Sequence, residues 1–207
     1  MTKLLFVRHG ESIYNNASKF TGQKDIPLTE LGEKQAEVTG KFLWKNYQID
    51  AVYSSDLSRA VNTAKPLADT LGLPIHTDPR FREIDLGEWT DMDIMTVKKA
   101  RVDEYERYCK GAPAPGGESR TQLRDRVYQA TLEIAKANAG KTVLITAHGG
   151  AIRAFLEYFA EVGVKLPISS NASVSEVFFD GENFTLGKLA MKEHLSDLYT
   201  MQDAFLN

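Results

Sequence analysis

Two histidines of this chain occupy the same kind of position, at the end of a predicted strand. His9 follows the apolar run of residues 4–7 with Arg8 between them, and His148 directly follows the strand predicted at residues 141–147. Short apolar runs of this kind, ending beside glycine, are typical of strands buried on both faces of a parallel sheet. Because open α/β sheets bind ligands at the carboxyl ends of such strands, both positions are candidates for a binding site.

A third strand end supplies another cation. Residues 50–55 predict a second buried strand, and Arg59 lies in the first turn of the helix that follows it. If the strands are parallel neighbours, Arg8, His9, Arg59 and His148 meet at one edge of the sheet. Helix N-termini at that edge add N–H donors and the positive end of the helix dipole, so the cluster fits an anion such as phosphate.

These residue types indicate phosphoryl chemistry. A neutral histidine can attack phosphorus and form a covalent phosphohistidine. Arginine side chains bind the non-bridging oxygens, and a carboxylic acid can protonate the leaving oxygen. Gly10, directly after His9, would let the backbone turn sharply and let a ligand approach closely. Taken alone, Arg8 and His9 could also be an ordinary surface turn at the end of a strand.

The remaining elements place these residues. Strands alternate with helices along the chain, which predicts βαβ units, a mostly parallel sheet and helices on both faces. A turn at residues 180–183 predicts a β-hairpin, which would add one antiparallel edge strand. A helix is also predicted after His194. The predicted strands are residues 4–7, 50–55, 75–77, 141–147, 174–179 and 184–190, and the predicted helices are residues 29–45, 56–71, 91–110, 119–140 and 151–159.

Composition excludes several classes of protein. The chain has 207 residues, 43% of them hydrophobic, and a formal net charge of −3, without the basic stripe of a nucleic-acid-binding protein. No apolar run approaches the ~20 residues of a membrane span, and no signal-peptide pattern begins the chain. Cys109 is the single cysteine and fits a reducing compartment. We therefore expect a cytoplasmic protein with neither a nucleic-acid nor a membrane partner.

No metal or other cofactor is expected. The chain has four histidines, and none of them stands in a paired-cysteine or His-x-Glu pattern with the spacing of metal ligands. No Walker loop is present either.

Four motifs, in order, carry a resemblance to a known family. The sequence resembles the histidine phosphatase superfamily, also called the phosphoglycerate-mutase-like family, over nearly the whole chain. The motifs are Arg8-His9-Gly10-Glu11, Ser54-Ser55-Asp56-Leu57-Ser58-Arg59-Ala60, Arg82-Glu83-Ile84-Asp85-Leu86-Gly87-Glu88-Trp89 and Ala147-His148-Gly149-Gly150.

The resemblance implies a fold and a set of roles. The fold is a three-layer α/β/α sandwich forming a single domain over residues 1–207, with a small helical cap inserted at about residues 91–118. His9 becomes phosphorylated, and Glu83 protonates the leaving oxygen and then activates water. The implied phosphate-binding set is Arg8, Arg59 and His148, with Asn15, Gln23 and Gly149 beside them.

Some of these roles have alternatives. Asp85 or Glu88 could be the acid in place of Glu83. Asn15 could merely cap a turn, and Gln23 could be a surface loop residue.

The same core serves phosphatases and mutases. Cofactor-dependent mutases carry a longer insert with an adjacent arginine pair, which residues 91–118 lack, and tend to have asparagine where Gly150 stands. We therefore expect a metal-independent phosphomonoesterase acting on a small phosphorylated metabolite. A phosphoglycerate mutase-like phosphotransferase is the alternative, because residues 20–29 also resemble the mutase loop. A non-catalytic phospholigand binder fits less well, since candidates for both nucleophile and acid are present. The sequence leaves the substrate and the oligomeric state open.

Overall fold

The fold is built on one mixed sheet. The computed structural model describes residues 1–159, 166–167 and 169–198. Within them the sheet has six strands in the order β3-β2-β4-β1-β5-β6. The strands are β1 (Thr2–Arg8), β2 (Ala51–Ser54), β3 (Ile75–Thr77), β4 (Thr142–Ala147), β5 (Val174–Phe179) and β6 (Phe184–Leu186).

Strand β1 lies at the centre of the sheet. It pairs in parallel with β4, which pairs in parallel with β2, so the carboxyl ends of all three lie at one edge. On its other side β1 pairs antiparallel with β5, which forms a hairpin with β6. The mostly parallel sheet and the hairpin are thus confirmed. Strand β5 is antiparallel to both of its neighbours, β1 and β6. It is the second strand from the edge of the sheet, because β6 forms the edge.

Helices cover both faces of the sheet. They are α1 (Ile13–Asn16), α2 (Glu30–Asn46), α3 (Ser58–Leu71), α4 (Ile94–Ala100), α5 (Val102–Cys109), α6 (Arg120–Ala137) and α7 (Gly149–Glu157).

Alternate residues of β1 divide the core between the two faces, because successive side chains of a strand point to opposite sides. Leu4 and Phe6 pack in one apolar cluster with residues of α6 and α7, whereas Leu5 and Val7 pack in another with residues of α2 and α3. All four side chains are fully buried. Burial of each stabilises the fold by about 1.5–3 kcal/mol, so the sequence at β1 dictates a layer of helices on each side. The α/β/α sandwich is confirmed.

The segment predicted as one helix at residues 91–110 is two helices, α4 and α5. They meet at Arg101, whose φ of −127° and ψ of 50° are not helical. Trp89 is fully buried beneath α5 and packs against Tyr105 and Tyr108, with ring centroids 6.1 and 5.2 Å from its own. Its role is therefore packing.

Two further expectations concern the ends and the surface of the chain. Of the helix predicted after His194, the described part is a short 3-10 turn at Glu193–Leu195, and residues 199–207 lie outside the described residues. None of the described helices combines the length and the apolar character that crossing a membrane requires.

Candidate active site

His9 is held at the carboxyl end of β1 in a defined protonation state. Its Nδ1 lies 2.7 Å from the carbonyl oxygen of Gly10. Because a carbonyl can only accept, Nδ1 carries the proton and Nε2 keeps its lone pair. The ring is only 4% exposed. Burial, and then the charges of Arg59 and Arg8, hold the pKa of His9 well below its ordinary value. A neutral imidazole with a free Nε2 lone pair is the form that can act as a nucleophile.

His9 opens onto a cavity of about 230 Å³. Most of its polar lining comes from the residues that the sequence nominated. Those among its walls are Arg8, His9, Asn15, Arg59 and Glu83, together with Gly150. The other lining residues are Lys19, Phe20, Thr21, Gly22, Ile84, Leu86 and Tyr108.

Arg59 enters this cavity from the first turn of α3 and is only 1% exposed. It donates from Nη1 to the carbonyl of Lys24 at 2.7 Å and from Nη2 to that of Gly22 at 2.9 Å. Burial lowers the pKa of Arg59 to about 10, so it still carries its charge at neutral pH. A guanidinium has five N–H donors, and one on each Nη is left for a ligand. Arg59 thus fixes the loop at residues 22–24 and still offers donors to an anion.

His148 lies behind His9, with the two ring centroids 5.0 Å apart, and is fully buried. Its Nδ1 accepts from Arg59 Nε at 3.2 Å, so the proton is on Nε2, which donates to Ser55 Oγ at 2.9 Å. Burial, and then the Arg59 charge, lower the pKa of His148 well below its ordinary value. His148 is not among the residues that line the cavity, and both of its nitrogens are engaged within the protein.

Asn15 presents its amide to the cavity in a fixed orientation. Its Oδ1 accepts from the backbone N–H of Ser12 at 3.1 Å, from the Ser12 hydroxyl at 3.0 Å and from Asn171 Nδ2 at 3.2 Å. The first of these contacts, with the return bond from Asn15 N–H to Ser12 Oγ, forms a capping box at the start of α1. Three donors on one oxygen establish that the amide NH₂ is the end available to a ligand. Asn15 therefore has two roles: its Oδ1 caps the turn at the start of α1, and its side chain lines the cavity.

The Glu83 carboxylate lies at the N-terminus of α7. Its Oε2 accepts from the backbone N–H of Gly150 at 3.0 Å, and its Oε1 from that of Ile84 at 2.9 Å. A Cβ at position 150 would collide with Glu83 Oε1, so glycine is what admits the carboxylate here. The other acid candidates are engaged elsewhere. Asp85 caps the backbone N–H of Gly87, and Glu88 pairs with Arg101 at 3.4 Å.

Arg126 of α6 holds the segment that carries Glu83. It donates to the carbonyls of Arg80 and Arg82 at 2.7 Å and to that of Glu83 at 2.9 Å. It also pairs with Glu118 at 2.7 Å. The segment has little regular structure, so these bonds, rather than a helix or a strand, fix the position of Glu83.

Gly10 has a different role from the one that its place beside His9 suggests. It is the backbone of Gly32, in α2, that approaches Gly10 closely, and a Cβ on Gly10 would collide with it. A Cβ on Gly32 would likewise collide with the backbone of Glu11. Glycine is needed because helix α2 packs onto the His9 loop, and Gly10 is not among the residues that line the cavity.

Two nominated residues lie just outside the cavity wall. Gln23 is partly exposed on the loop that Arg59 holds. Gly149 begins α7, and a Cβ there would lie 3.3 Å from Arg8 Nε, so Gly149 makes room for that arginine. Neither lines the cavity.

Comparison with known proteins decides the family. The model of the histidine phosphatase superfamily (branch 1) matches residues 4–192. The chain belongs to this superfamily. A phosphoglycerate mutase-like protein of Arabidopsis thaliana is 32% identical over 98% of this chain and 91% of its own length. A probable phosphoglycerate mutase of Yersinia pestis is 37% identical over 75% of this chain and 74% of its own.

Solved structures of other members of the superfamily agree. YhfR of Bacillus stearothermophilus superposes with a TM-score of 0.87 at 28% identity, covering 94% of this chain and all of that one. A mycobacterial glucosyl-3-phosphoglycerate phosphatase gives 0.80 at 29% identity, covering 89% of this chain and 96% of its own. A phosphoserine phosphatase of Entamoeba histolytica, in complex with 3-phosphoglyceric acid, gives 0.80 at 26% identity, covering 94% and 100% of the two chains.

Sequence reasoning missed several residues of this histidine phosphatase site. Lys19 and Tyr108 line the cavity, and Arg126 and Asn171 support its walls. Asn171 lies in a polar run directly before strand β5. Asparagine in such a run commonly hydrogen-bonds to nearby backbone groups, and this is the signal by which the sequence could have indicated its role. Nothing in the local sequence distinguishes Arg126 or Tyr108 from the solvated charges and packed rings of an ordinary helix.

Proposed function

We propose that this histidine phosphatase family member is a metal-independent phosphomonoesterase that works through a phosphohistidine at His9. The observation that carries the proposal is the state of His9. Its Nδ1 donates to the Gly10 carbonyl, which leaves Nε2 with its lone pair, and His9 lines a cavity whose walls also include Arg8, Arg59 and Glu83.

The first step transfers the phosphoryl group. The Nε2 lone pair of His9 attacks phosphorus as the bond to the leaving oxygen breaks, and protonated Glu83 gives its proton to that oxygen. Arg8, the remaining donors of Arg59 and the NH₂ of Asn15 bind the non-bridging oxygens and offset their charge in the transition state. His148 would reach the phosphoryl group only by exchanging its bond to Ser55, and in this arrangement it orients Arg59.

The second step regenerates the enzyme. Glu83, now a carboxylate, takes a proton from water, and the resulting hydroxide attacks phosphorus as the N–P bond breaks and returns its electrons to Nε2. The hydrogen bond that His9 Nδ1 donates to the Gly10 carbonyl persists throughout, so Nε2 is both the nucleophile and the leaving group.

The surroundings of the cavity suggest where the substrate is chosen. We propose that residues 91–118, with α4 and α5, are the cap of a single domain over residues 1–207, because Tyr108 of α5 lines the same cavity as His9. Gln23 would then contribute through the loop that Arg59 holds, and Gly149 through the space that it leaves for Arg8. A small phosphorylated metabolite fits the size of the cavity.

The test is an assay of purified protein in a chelator, following phosphate release from p-nitrophenyl phosphate and a panel of phosphomonoesters. We expect turnover that is lost in His9→Ala and kept in His76→Ala, which removes an exposed histidine. A denatured, rapidly quenched sample should carry an acid-labile phosphoryl group in the wild type only. Full activity of His9→Ala, or none in the wild type, would overturn the proposal.

A mutase activity is the second candidate, and the names of the relatives favour it. It predicts interconversion of 3- and 2-phosphoglycerate far faster than phosphate release from either. Gly150 and the absence of an arginine pair in residues 91–118 favour the phosphatase. Both activities measured on the same preparation separate the two candidates.

A further inference from the structure

A second cavity, of about 300 Å³, adjoins the first. The two share the wall residues Ile84, Tyr108 and Gly150, so the second space begins at the part of the first cavity's wall that these residues form. The residues that line only the second cavity are Cys109, Arg120, Leu123, Arg153, Ala154 and Glu157. The proposed phosphatase reaction does not use any of them.

The ionic side chains that line the second cavity are Arg120, Arg153 and Glu157, which are two cations and one anion. Arg153 pairs with Glu157 at 2.6 Å. Arg120 is exposed and, in the part of the chain that the structure describes, has no carboxylate within ion-pair distance. Its neighbours on α6 differ, since Arg124 pairs with Asp125 and Arg126 with Glu118. Arg120 is therefore the charge in this cavity that a ligand can neutralise.

Tyr108 links the catalytic acid to this cation. Burial raises the pKa of its hydroxyl to about 12; the Glu83 charge adds to the rise, and the Arg120 charge opposes it. The hydroxyl thus lies within electrostatic reach of both groups and stays protonated at neutral pH. Glu83 and Tyr108 line the first cavity, and Tyr108 and Arg120 line the second, so Tyr108 is the wall residue that the surroundings of the two charges have in common.

We propose that the second cavity is a subsite for the leaving group, and that Arg120 binds an anionic group at its far end. The substrate class is then a phosphomonoester whose alcohol is about as large as a sugar and carries a carboxylate or a second phosphate away from the scissile bond. This deepens the proposed function and rests on it.

The test compares three substrates that share one leaving sugar: glucose 1-phosphate, glucuronic acid 1-phosphate and glucose 1,6-bisphosphate. Each is assayed for kcat/KM at C1 with the wild type, Arg120→Gln and the matched control Arg124→Gln. We expect the wild type and the control to prefer the anionic sugars about tenfold, which is an ordinary value for one hydrogen-bonded charge. Arg120→Gln should lose that preference and keep its rate on glucose 1-phosphate. Comparison of the carboxylate with the phosphate shows which anion the subsite takes.

A binding measurement that does not depend on turnover accompanies the assay. Cys109 is exposed at the second cavity and is the single cysteine of the chain, so its rate of reaction with a maleimide reports whether that space is filled. In His9→Ala, glucuronic acid 1-phosphate should slow the reaction severalfold more than glucose 1-phosphate does, and Arg120→Gln should abolish the difference.

Two results would overturn the inference, and they differ from failure of the proposed function. If all three sugars and p-nitrophenyl phosphate are hydrolysed with no dependence on Arg120, the subsite is wrong and the phosphatase stands. If nothing is hydrolysed but Cys109 is protected as expected, the subsite stands and the phosphatase is wrong. Equal protection by neutral and anionic sugars counts against the subsite in either case.

Discussion

The side-chain amide of Asn171 donates to Oδ1 of Asn15 at 3.2 Å, across 156 residues of sequence. The same NH₂ group lies 2.9 Å from the carbonyl oxygen of His9. One buried amide therefore holds both the backbone of the candidate nucleophile and the side chain beside it. Asn171 does not line the cavity, so it acts as a positioning residue.

Asn171→Ala should weaken binding of the phosphoryl group. Without its donor the Asn15 amide can rotate, and one phosphate contact becomes disordered, which we expect to reduce kcat/KM about tenfold. The His9 carbonyl would keep only the longer bond from the backbone N–H of Ala172, at 3.3 Å, so the free energy of unfolding should fall by about 1 kcal/mol.

A merely structural role for Asn171 is separable from this one. Inhibition by inorganic phosphate should weaken in proportion to kcat/KM in Asn171→Ala, measured at a temperature where the variant is fully folded. Asn46→Ala, which removes an exposed asparagine bonded only to Phe42, is the control. An unchanged inhibition constant for phosphate would show that Asn171 does not position Asn15.

Gly150→Ala should act on the leaving group. The added methyl collides with Glu83 Oε1 and forces the carboxylate away from the Gly150 N–H. General acid catalysis contributes about 10²–10⁴-fold. The kcat/KM for an alkyl phosphate such as glycerol phosphate, which reports the phosphoryl-transfer step alone, should therefore fall about a hundredfold or more. p-Nitrophenolate leaves without a proton, so kcat/KM for p-nitrophenyl phosphate should be affected much less, whereas kcat should fall for both substrates because Glu83 also activates the water of the second step. Glu83→Gln should reproduce the pattern, and an equal loss of kcat/KM on both substrates would contradict the role of Glu83 as the acid.

Arg126→Lys keeps the charge but loses the forked donors that hold residues 80–83. We expect the same dependence on leaving group as for Gly150→Ala, in a milder form of about tenfold, because Glu83 is loosened rather than displaced. The lost donors hold the Glu118 carboxylate and three backbone carbonyls in a mostly buried setting, so the free energy of unfolding should also fall, by about 2–3 kcal/mol. Arg124→Lys, on the exposed side of the same helix, should change neither quantity. Activity unchanged despite the lost stability would reduce Arg126 to a structural role.

The fold and the centre of the site could be predicted because their signals are local. The apolar runs of β1 and β4 end at Arg8-His9 and at His148, and parallel pairing of neighbouring strands then brings those ends together. Arg59 follows from the same logic, one helical turn beyond β2.

What could not be predicted depends on contacts between distant segments. Gly10 looked like a ligand contact and is a contact with α2. His148 looked like a phosphate ligand, yet Ser55 and Arg59 occupy its two nitrogens. Tyr108 reaches the cavity because α5 folds over Trp89, and the polar, charged sequence around it predicts only a solvated helix.

Stability of the fold should depend on pH through the two buried histidines. Burial lowers the pKa of both His9 and His148 in the folded protein, whereas in the unfolded chain each has its ordinary value of about 6.5. As the pH falls below that value, the unfolded state binds protons that the folded state does not, so the free energy of unfolding decreases. Each histidine contributes at most about 1.4 kcal/mol per pH unit, and no loss from this source is expected above about pH 7.

His148→Gln isolates one of these contributions, because glutamine can still accept from Arg59 and donate to Ser55 but does not titrate. Urea unfolding at pH 7.5, 6.5 and 5.5 should show a shallower decline for His148→Gln than for the wild type. His76→Gln, which removes an exposed histidine, should follow the wild type. Parallel declines for all three proteins would mean that His148 binds its proton equally in both states. In that case burial beside Arg59 does not hold its ring neutral.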